Sequence, residues 1–182
     1  MKVVASTMDG VLILEPQVFA DARGCFFESW NARRFAELSG VSAEFVQDNH
    51  SVSHRGVLRG LHYQLPPQAQ GKLVRVVQGA VYDVVVDLRR HSPSFGRWQG
   101  VELSAANRRQ LWIPPGFAHG FLSLADDSVT LYKTTAYYSP AHERCIRWDD
   151  AQLAIAWPLA GTPRLSPRDA EGVRLADADL FP

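Results

Sequence analysis

The sequence is poor in cysteine, carries no net charge and has no long hydrophobic run. Its two cysteines, Cys25 and Cys145, have neither the spacing of a zinc site nor the number of a disulfide framework. A single disulfide between them is the alternative that the sequence allows. Nineteen basic residues balance nineteen acidic ones, which argues against broad binding to nucleic acid. No stretch reaches the roughly 18 apolar residues that span a bilayer, and the amino terminus lacks the apolar core of a signal peptide. We therefore expect a reduced, cytoplasmic protein without a membrane or nucleic-acid partner.

Short strands separated by turn residues dominate the chain. They number eight or more, with turn residues about every 8–12 positions, as in sandwiches and barrels. The best helix is predicted at residues 31–40, where Asn31 caps it and Gly40 ends it, covering one edge of a sheet. A short capped helix is predicted at residues 149–155. The 182 residues fit one domain, 1–182, and the pattern predicts an all-β sandwich or barrel with a few short peripheral helices.

Residues 47–83 place reactive side chains on three successive strands. Apolar and polar positions alternate there with period two, which is typical of strands with one buried face. Gln78 and Gly79 have the composition of a two-residue hairpin loop. Pairing the two arms about that loop puts Lys72 and Asp83 on one otherwise apolar face. Inward-facing polar residues of this kind indicate a barrel that holds a ligand.

A second pair of strands is predicted within residues 110–124 and 128–138, joined by a turn at 125–127. In either plausible register of that hairpin, His119 and Tyr132 face the same side. The two side chains are therefore predicted to share one site.

Three kinds of function compete for these residues. The segment from Pro114 through Gly116 to His119 matches part of a metal-binding motif of the cupin family, but the paired histidines and glutamate of the first motif are missing around His62, so a divalent metal site is disfavoured. A sugar-binding or purely structural barrel would explain the arginines and aromatic residues, but not a histidine and a tyrosine facing one cavity.

The third possibility is acid/base catalysis without a metal or cofactor. An imidazole titrates near neutral pH and suits a base, whereas a phenol is protonated at pH 7 and suits an acid. In this hypothesis His62 removes a proton beside a carbonyl group and Tyr132 returns one. The enolate formed in between requires a nearby cation such as Lys72 or Arg59. If base and acid approach from opposite faces of the substrate, the product is an epimer.

The sequence resembles the dTDP-4-dehydrorhamnose 3,5-epimerase family over most of its length. The resemblance is carried by the stretches 21–28 (DARGCFFE), 47–53 (QDNHSVS), 56–64 (GVLRGLHYQ), 72–75 (KLVR), 83–89 (DVVVDLR), 112–121 (WIPPGFAHGF), 132–133 (YK), 137–138 (YY), Glu143, 146–148 (IRW) and 166–169 (SPRD). It implies a cupin-like jelly roll and a homodimer whose N-terminal strands cross to the partner. It also implies inversion of C3 and C5 of dTDP-4-dehydro-6-deoxy-D-glucose to give dTDP-4-dehydro-L-rhamnose.

The resemblance also implies roles for individual residues. His62 corresponds to the family's proton acceptor, Tyr132 to its proton donor and Asp169 to the carboxylate that supports His62, with Asp83 as a second candidate for that support. The implied substrate contacts are Arg23, Glu28, Gln47, Asp48, Asn49, Arg59, Lys72, His119, Glu143 and Arg168. At Arg168 the family often has lysine, and this change is expected to affect a nucleotide contact rather than proton transfer. A single-carbon epimerase acting on a related dTDP-4-keto sugar remains the nearest alternative.

Overall fold

The computed structural model describes residues 1–4 and 8–182, and strands dominate it. The strands are β1 (Lys2–Val4), β2 (Leu12–Glu15), β3 (Val18–Asp21), β4 (Gly24–Phe27), β5 (Gln47–Ser53), β6 (Leu58–Gln64), β7 (Lys72–Gln78), β8 (Ala80–Asp87), β9 (Trp98–Ser104), β10 (Gln110–Ile113), β11 (Phe117–Ser123), β12 (Ser128–Thr134) and β13 (Glu143–Cys145). The helices are α1 (Ala32–Ser39), α2 (Pro167–Ala170) and a 3-10 turn at Leu175–Asp177.

Two antiparallel sheets form a sandwich. The six-stranded sheet has the order β1-β2-β10-β7-β12-β5, and the five-stranded sheet has the order β13-β6-β11-β8-β9. The core between them takes apolar side chains from both sheets, for example Val74 and Leu111 from the first and Val85 and Leu103 from the second. From β5 to β8 and again from β9 to β13, successive strands alternate between the sheets, and the predicted all-β jelly roll with few helices is confirmed.

The predicted hairpin at Gln78 and Gly79 is wrong. Strand β7 pairs with β10 and β12, whereas β8 pairs with β11 and β9 in the other sheet. Gly79 has a φ of 71° and sits where the chain crosses between sheets; a Cβ there would lie 2.6 Å from Ser128 Oγ. The alternation itself holds, because Val74, Val76 and Val81 all face the core between the sheets.

The predicted pairing of residues 110–124 with 128–138 is wrong for the same reason. Strand β11 pairs with β6 and β8, and β12 pairs with β5 and β7. The chain crosses from one sheet to the other after Ser123. His119 and Tyr132 therefore come from opposite sheets, yet both side chains point into the space between the sheets.

Helix α1 has the predicted ends. The side chain of Asn31 accepts a hydrogen bond from the backbone N–H of Arg34, and Gly40 ends the helix in the left-handed conformation at φ 69°. Its buried Phe35 packs on Leu73 and Trp112. The helix therefore covers the outer face of the six-stranded sheet rather than an edge, because that face offers apolar side chains.

The C-terminal tail folds over the outer face of the five-stranded sheet. Leu175 and Phe181 pack there with Leu61 and Val84. The helix predicted at residues 149–155 is wrong, because this segment is a turn. The Asp150 carboxylate accepts the backbone N–H groups of Gln152 and Leu153. The chain leaves the helical conformation at Ala154, whose φ is 46°. The packing of the tail is what brings α2 beside β6.

Strands β3 and β4 form a separate two-stranded hairpin. Its aromatic side chains are poorly covered, with Phe19 56% and Phe26 70% exposed. Such an isolated hairpin is marginally stable in water. Across the described part of the chain, no helix has the length and apolar character needed to cross a bilayer.

Candidate active site

A polar cavity opens between the two sheets, beside their edge strands β5 and β13. It has a volume of about 340 Å³ and adjoins a second chamber of about 240 Å³. His62, Lys72, Tyr132, Tyr138 and Glu143 line both chambers. The other residues around the first are Ser51, Arg59, His119, Phe121, Ser166, Arg168 and Asp169, and the second adds Gln47, Asn49, Tyr63, Gln64 and Gln70.

His62 projects from β6 and meets Asp169 of α2. The Nε2 atom of His62 lies 2.7 Å from Asp169 Oδ1. This contact is short but lacks the geometry of a linear hydrogen bond. The same carboxylate oxygen accepts the backbone N–H of Gly60 at 3.0 Å.

The environment of Asp169 keeps its carboxyl group ionised. Burial alone favours the neutral acid, but interactions with His62, Ser166 and the Gly60 N–H outweigh it and lower the pKa of Asp169 to about 2. Ser166 also caps α2, since its side chain accepts the backbone N–H of Asp169. A fixed carboxylate of this kind stabilises an imidazolium that forms beside it.

Asp83, the second candidate for the partner of His62, instead contacts His119. His119 Nε2 lies 2.9 Å from Asp83 Oδ1 and 3.0 Å from its Oδ2, and Asp83 is fully buried. The cavity thus contains two separate histidine–aspartate pairs on neighbouring strands of one sheet. The aspartate of the His62 pair comes from the C-terminal tail, whereas Asp83 comes from β8.

Tyr132 reaches the cavity from the opposite sheet. Its backbone pairs with Asn49 of β5 and Val74 of β7. Burial raises the pKa of Tyr132, and the negative charge of Glu143 raises it further against a smaller opposing effect of Arg59. The phenol is therefore held protonated and can act as a proton donor.

Lys72 lies at the bottom of the cavity. Its ammonium group donates a long hydrogen bond of 3.4 Å to the backbone carbonyl of His62. Lys72 as a whole is 8% exposed. Burial lowers the pKa of Lys72 to about 8, while Glu143 and Asp83 act in the opposite direction. Arg59 is held at one side by hydrogen bonds to Ser53 Oγ and to a backbone carbonyl, at 3.0 and 3.1 Å.

A charged cluster forms the mouth of the cavity. Arg168 Nη2 lies 2.5 Å from Glu143 Oε2, and Arg168 Nη1 donates to the hydroxyl of Tyr138 at 3.1 Å. Gln47 accepts the backbone N–H of Tyr138 at 2.9 Å and donates to Asn49 at the same distance. Hydrogen-bonding groups from both sheets thus surround the entrance.

Three of the predicted contact residues do not line this cavity in their own chain. Asp48 points to the outer face of the six-stranded sheet, because inward and outward side chains alternate along β5, and it pairs with Lys133 at 2.7 Å. Arg23 is on the β3–β4 hairpin and is paired with Asp21. Glu28 follows that hairpin and accepts a hydrogen bond from Asn31. The other seven predicted contacts all line the cavity.

Sequence reasoning missed several lining residues. Ser166 could have been recognised as a helix cap from the Ser-Pro pair and the aspartate three positions later. The positions of Ser51 and Gln64 follow from strand alternation next to Asn49 and His62. Among the described residues, one cluster has the ligand types and spacing to hold a metal ion: His62, Cys145 and Asp169.

Comparison with known proteins gives a consistent result. Residues 5–177 match the family model described as dTDP-4-dehydrorhamnose 3,5-epimerase. A dTDP-4-dehydrorhamnose 3,5-epimerase of Pseudomonas aeruginosa is 58% identical over 182 residues, covering 100% of both chains.

Two further relatives bear on the substrate. The crystal structure of a dTDP-6-deoxy-D-glucose-3,5-epimerase from Legionella pneumophila in complex with dTDP-4-keto-L-rhamnose superposes with a TM-score of 0.94 at 50% identity, covering 98% of this chain and 94% of that one. A dTDP-4-dehydrorhamnose 3-epimerase of Streptomyces niveus is 43% identical, covering 96% of this chain and 86% of its own. This chain is thus similar both to relatives named as 3,5-epimerases and to one named as a 3-epimerase.

Proposed function

The chain belongs to the dTDP-4-dehydrorhamnose 3,5-epimerase family, and on that premise we propose how its residues invert a sugar. The enzyme is an epimerase that converts dTDP-4-dehydro-6-deoxy-D-glucose to dTDP-4-dehydro-L-rhamnose by inversion at C3 and C5. The observation that carries the mechanism is that a histidine and a tyrosine from opposite sheets line one cavity. The whole chain, 1–182, serves as one catalytic domain.

His62 is the base in this mechanism. Its Nε2 is buried against the Asp169 carboxylate, which leaves Nδ1 as the ring nitrogen that takes the proton from carbon. The ionised Asp169 stabilises the imidazolium formed by this step. Asp169 is therefore the supporting carboxylate, and Asp83 supports His119 instead.

Tyr132 is the acid. Because β12 and β6 belong to opposing sheets, a sugar ring between them presents one face to His62 and the other to Tyr132. A proton removed on one face and returned on the other inverts the carbon. The raised pKa of Tyr132 keeps its proton available at neutral pH.

Lys72 stabilises the intermediate. Loss of the proton leaves an enolate whose negative charge resides on the C4 oxygen, and a buried cation is most effective at such a point because little water screens it. C3 and C5 both flank C4, so a single enolate pocket serves both inversions. Every step moves protons only and needs no redox cofactor, and Lys72 supplies the positive charge that stabilises the enolate.

The remaining polar residues bind the substrate. Arg59 and Arg168 offer guanidinium groups for charge-assisted hydrogen bonds to the diphosphate. Tyr138, half exposed at the mouth, presents a ring on which thymine can stack. Gln47, Asn49, His119 and Glu143 supply further hydrogen-bonding groups to the nucleotide and the sugar.

The enzyme acts as a homodimer in which the β3–β4 hairpin crosses to the partner. Three observations support this exchange: among the described residues the hairpin pairs with no other strand, its phenylalanines are exposed, and β5 is the last strand of its sheet, beside the cavity. Pairing with the partner's β5 edge would bury the hairpin and carry Arg23 and Glu28 toward that partner's cavity.

The free cysteines support a cellular compartment for the enzyme. Both cysteines are free, as in proteins of a reducing environment, and we place the enzyme in the cytoplasm.

Solvent exchange in heavy water tests the function. The wild-type protein is incubated with dTDP-4-dehydro-6-deoxy-D-glucose in D₂O, and deuterium at C3 and C5 is located by NMR. Label at both carbons is expected, and the His62→Ala protein serves as the control for non-enzymatic exchange. Label at one carbon alone would favour a single-carbon epimerase, which the Streptomyces niveus relative makes the main alternative. Bound substrate without any exchange would show a nucleotide-sugar binding protein and overturn the proposal.

A further inference from the structure

Cys145 is a reactive group that the proposed mechanism does not use. It lies on β13 directly across from His62 in the ladder with β6. Its thiol is partly buried beside the catalytic pair, and burial, with the charge of Asp169, raises its pKa to about 12. The free thiol is therefore protonated at neutral pH and is a poor nucleophile.

The thiol completes a set of three potential metal ligands. A ring nitrogen of His62, the Sγ of Cys145 and a carboxylate oxygen of Asp169 all lie within 4.8 Å of one another. A mixed nitrogen, sulfur and oxygen set favours borderline or soft divalent ions such as Zn²⁺ and Cd²⁺ over Mg²⁺ or Ca²⁺. Because His62 and Asp169 line the cavity, a fourth coordination position would face solvent and be filled by water.

We propose that His62, Cys145 and Asp169 form an inhibitory site for a thiophilic divalent cation of the Zn²⁺ class. On binding, the Cys145 thiol loses its proton to water and the thiolate coordinates the ion. An ion bound to Nε2 of His62 leaves the remaining ring proton on Nδ1, so that Nδ1 can no longer accept the substrate proton. Metal binding rests on the geometry alone, whereas the inhibition rests also on the proposed role of His62 as the base.

The site needs a small adjustment to accept an ion. Ligands of a tetrahedral Zn²⁺ ion lie about 3.3 Å apart, whereas His62 Nε2 and Asp169 Oδ1 are 2.7 Å apart, so the pair has to open by about 0.6 Å if both of these atoms bind. The side chain of His62 is 27% exposed and faces the cavity, which leaves it room to move.

A spectroscopic titration tests the binding without reference to catalysis. Cys25→Ser removes the other thiol of the chain, which is exposed on the β3–β4 hairpin, so that any metal–thiolate absorption reports Cys145. CdCl₂ is added to this variant in buffer free of thiols and chelators. One equivalent of Cd²⁺ is expected to produce the ultraviolet band of a Cd–thiolate bond, and the Cys25→Ser/Cys145→Ser variant should show none. Absence of the band in the single variant would overturn the proposal.

Two histidine variants locate the site. In the Cys25→Ser background, His62→Ala should weaken Cd²⁺ binding by at least about tenfold, since even an outer-sphere partner of a metal costs about 10- to 100-fold when removed. His54→Ala, on the surface beside Asp127, should leave Cd²⁺ binding unchanged. Equal weakening by both variants, or by neither, would contradict the assignment of the site.

Turnover measures the inhibition. ZnCl₂ should inhibit the Cys25→Ser enzyme, and the concentration for half-inhibition should rise by at least about tenfold in Cys25→Ser/Cys145→Ser. Without zinc the two variants should turn over equally, and EDTA should restore the inhibited enzyme. Equal sensitivity of both variants would overturn the inhibition, even if Cd²⁺ binds. Loss of the Cd–thiolate band would overturn the site itself, whatever reaction the enzyme catalyses.

Discussion

His62 and Asp169 lie 2.7 Å apart, although one comes from a central strand and the other from a short helix near the carboxyl terminus. The contact depends on the tail that packs across the five-stranded sheet. The base of the proposed reaction therefore depends on a carboxylate that lies outside the two sheets, on helix α2.

Asp169→Asn should lower kcat by about 10²- to 10⁴-fold with little change in KM, because the amide cannot stabilise the imidazolium and the residue does not bind the nucleotide. Steady-state kinetics separate the two constants. Asp179→Asn, which removes a surface carboxylate paired with Arg144, is the matched control and should keep full activity. A normal kcat for Asp169→Asn would remove Asp169 from the mechanism.

Asp169 should also affect acid stability. Its pKa is lowered to about 2 in the folded state, so its contribution to the free energy of unfolding is present above the ordinary pKa of 3.8 and is lost as the pH falls toward about 2. The contribution amounts to on the order of 2 kcal/mol. Chemical denaturation at pH 6 and at pH 2.5 should therefore show a difference between wild type and Asp169→Asn that shrinks at the lower pH. A constant difference would show that the carboxylate charge is not the cause.

Tyr132→Phe should separate the two proton transfers. His62 can still remove a proton and return deuterium on the same face, so exchange in D₂O should continue at a reduced rate while epimerised product falls by about 10²- to 10⁴-fold. Tyr82→Phe is the matched control, because Tyr82 packs with Trp157 on the far side of the five-stranded sheet. Full epimerase activity of Tyr132→Phe would exclude the phenol as the acid.

Lys72 should impose an alkaline limit on activity. Its pKa is lowered to about 8, so kcat/KM should decline as the pH rises through that value and the ammonium loses its charge. Lys72→Met should lower kcat/KM by about 10²- to 10³-fold at pH 7 and remove this alkaline decline. The measurement is a pH–rate profile of both proteins; an unchanged decline in the variant would assign it to another group.

The stability of Lys72→Met provides the control for misfolding. A lysine whose folded-state pKa lies below the ordinary 10.5 destabilises the fold below about pH 8, by on the order of 3 kcal/mol, and this cost disappears as the pH rises from about 8 to 10.5. Lys72→Met should therefore unfold no more easily than wild type at pH 7. A large loss of stability would mean that the kinetic defect reflects misfolding.

Mixed dimers test the exchange of the β3–β4 hairpin. Arg23→Ala and His62→Ala chains should each have little activity alone, and the His62→Ala protein should still bind dTDP. In a mixed dimer with exchanged hairpins, the cavity of the Arg23→Ala chain receives the intact Arg23 of its partner and regains activity. Co-expressed, differently tagged chains allow the mixed species to be purified and assayed. Mixed dimers as inactive as the parents would show that Arg23 acts within its own chain or that the hairpin does not cross.

Period-two alternation predicted side-chain direction better than strand pairing. It placed Lys72 and Asp83, and likewise His119 and Tyr132, on shared sides, and each pair does face the space between the sheets. The pairing was wrong because a short turn can either close a hairpin or carry the chain to the opposite sheet, and both leave the inward positions unchanged. Alternation would also have placed Asp48 outward from β5, had it been applied to that strand.

Contacts between distant parts of the chain were beyond local patterns. Nothing in the spacing of residues distinguished Asp169 from Asp83 as the partner of His62, and the resemblance to a family made that choice. The structural reason is the path of the tail, which packs through Leu175 and Phe181 against apolar side chains that lie far away in the sequence. The short α2 was missed for a different reason: its four residues are too few to give a helical pattern, although Ser166 offered a cap signal.

The acid and the base lie on separate sheets, so the spacing between the sheets sets the distance between the two catalytic side chains. Val74, Val85 and Leu111 fill the gap that sets how far the ring of Tyr132 stands from that of His62. A change of volume at these positions alters the distance that a proton travels, even where the fold tolerates it. Side-chain volume at these positions therefore affects turnover as well as folding. Fewer substitutions should be tolerated there than at core positions that do not lie between the two catalytic rings.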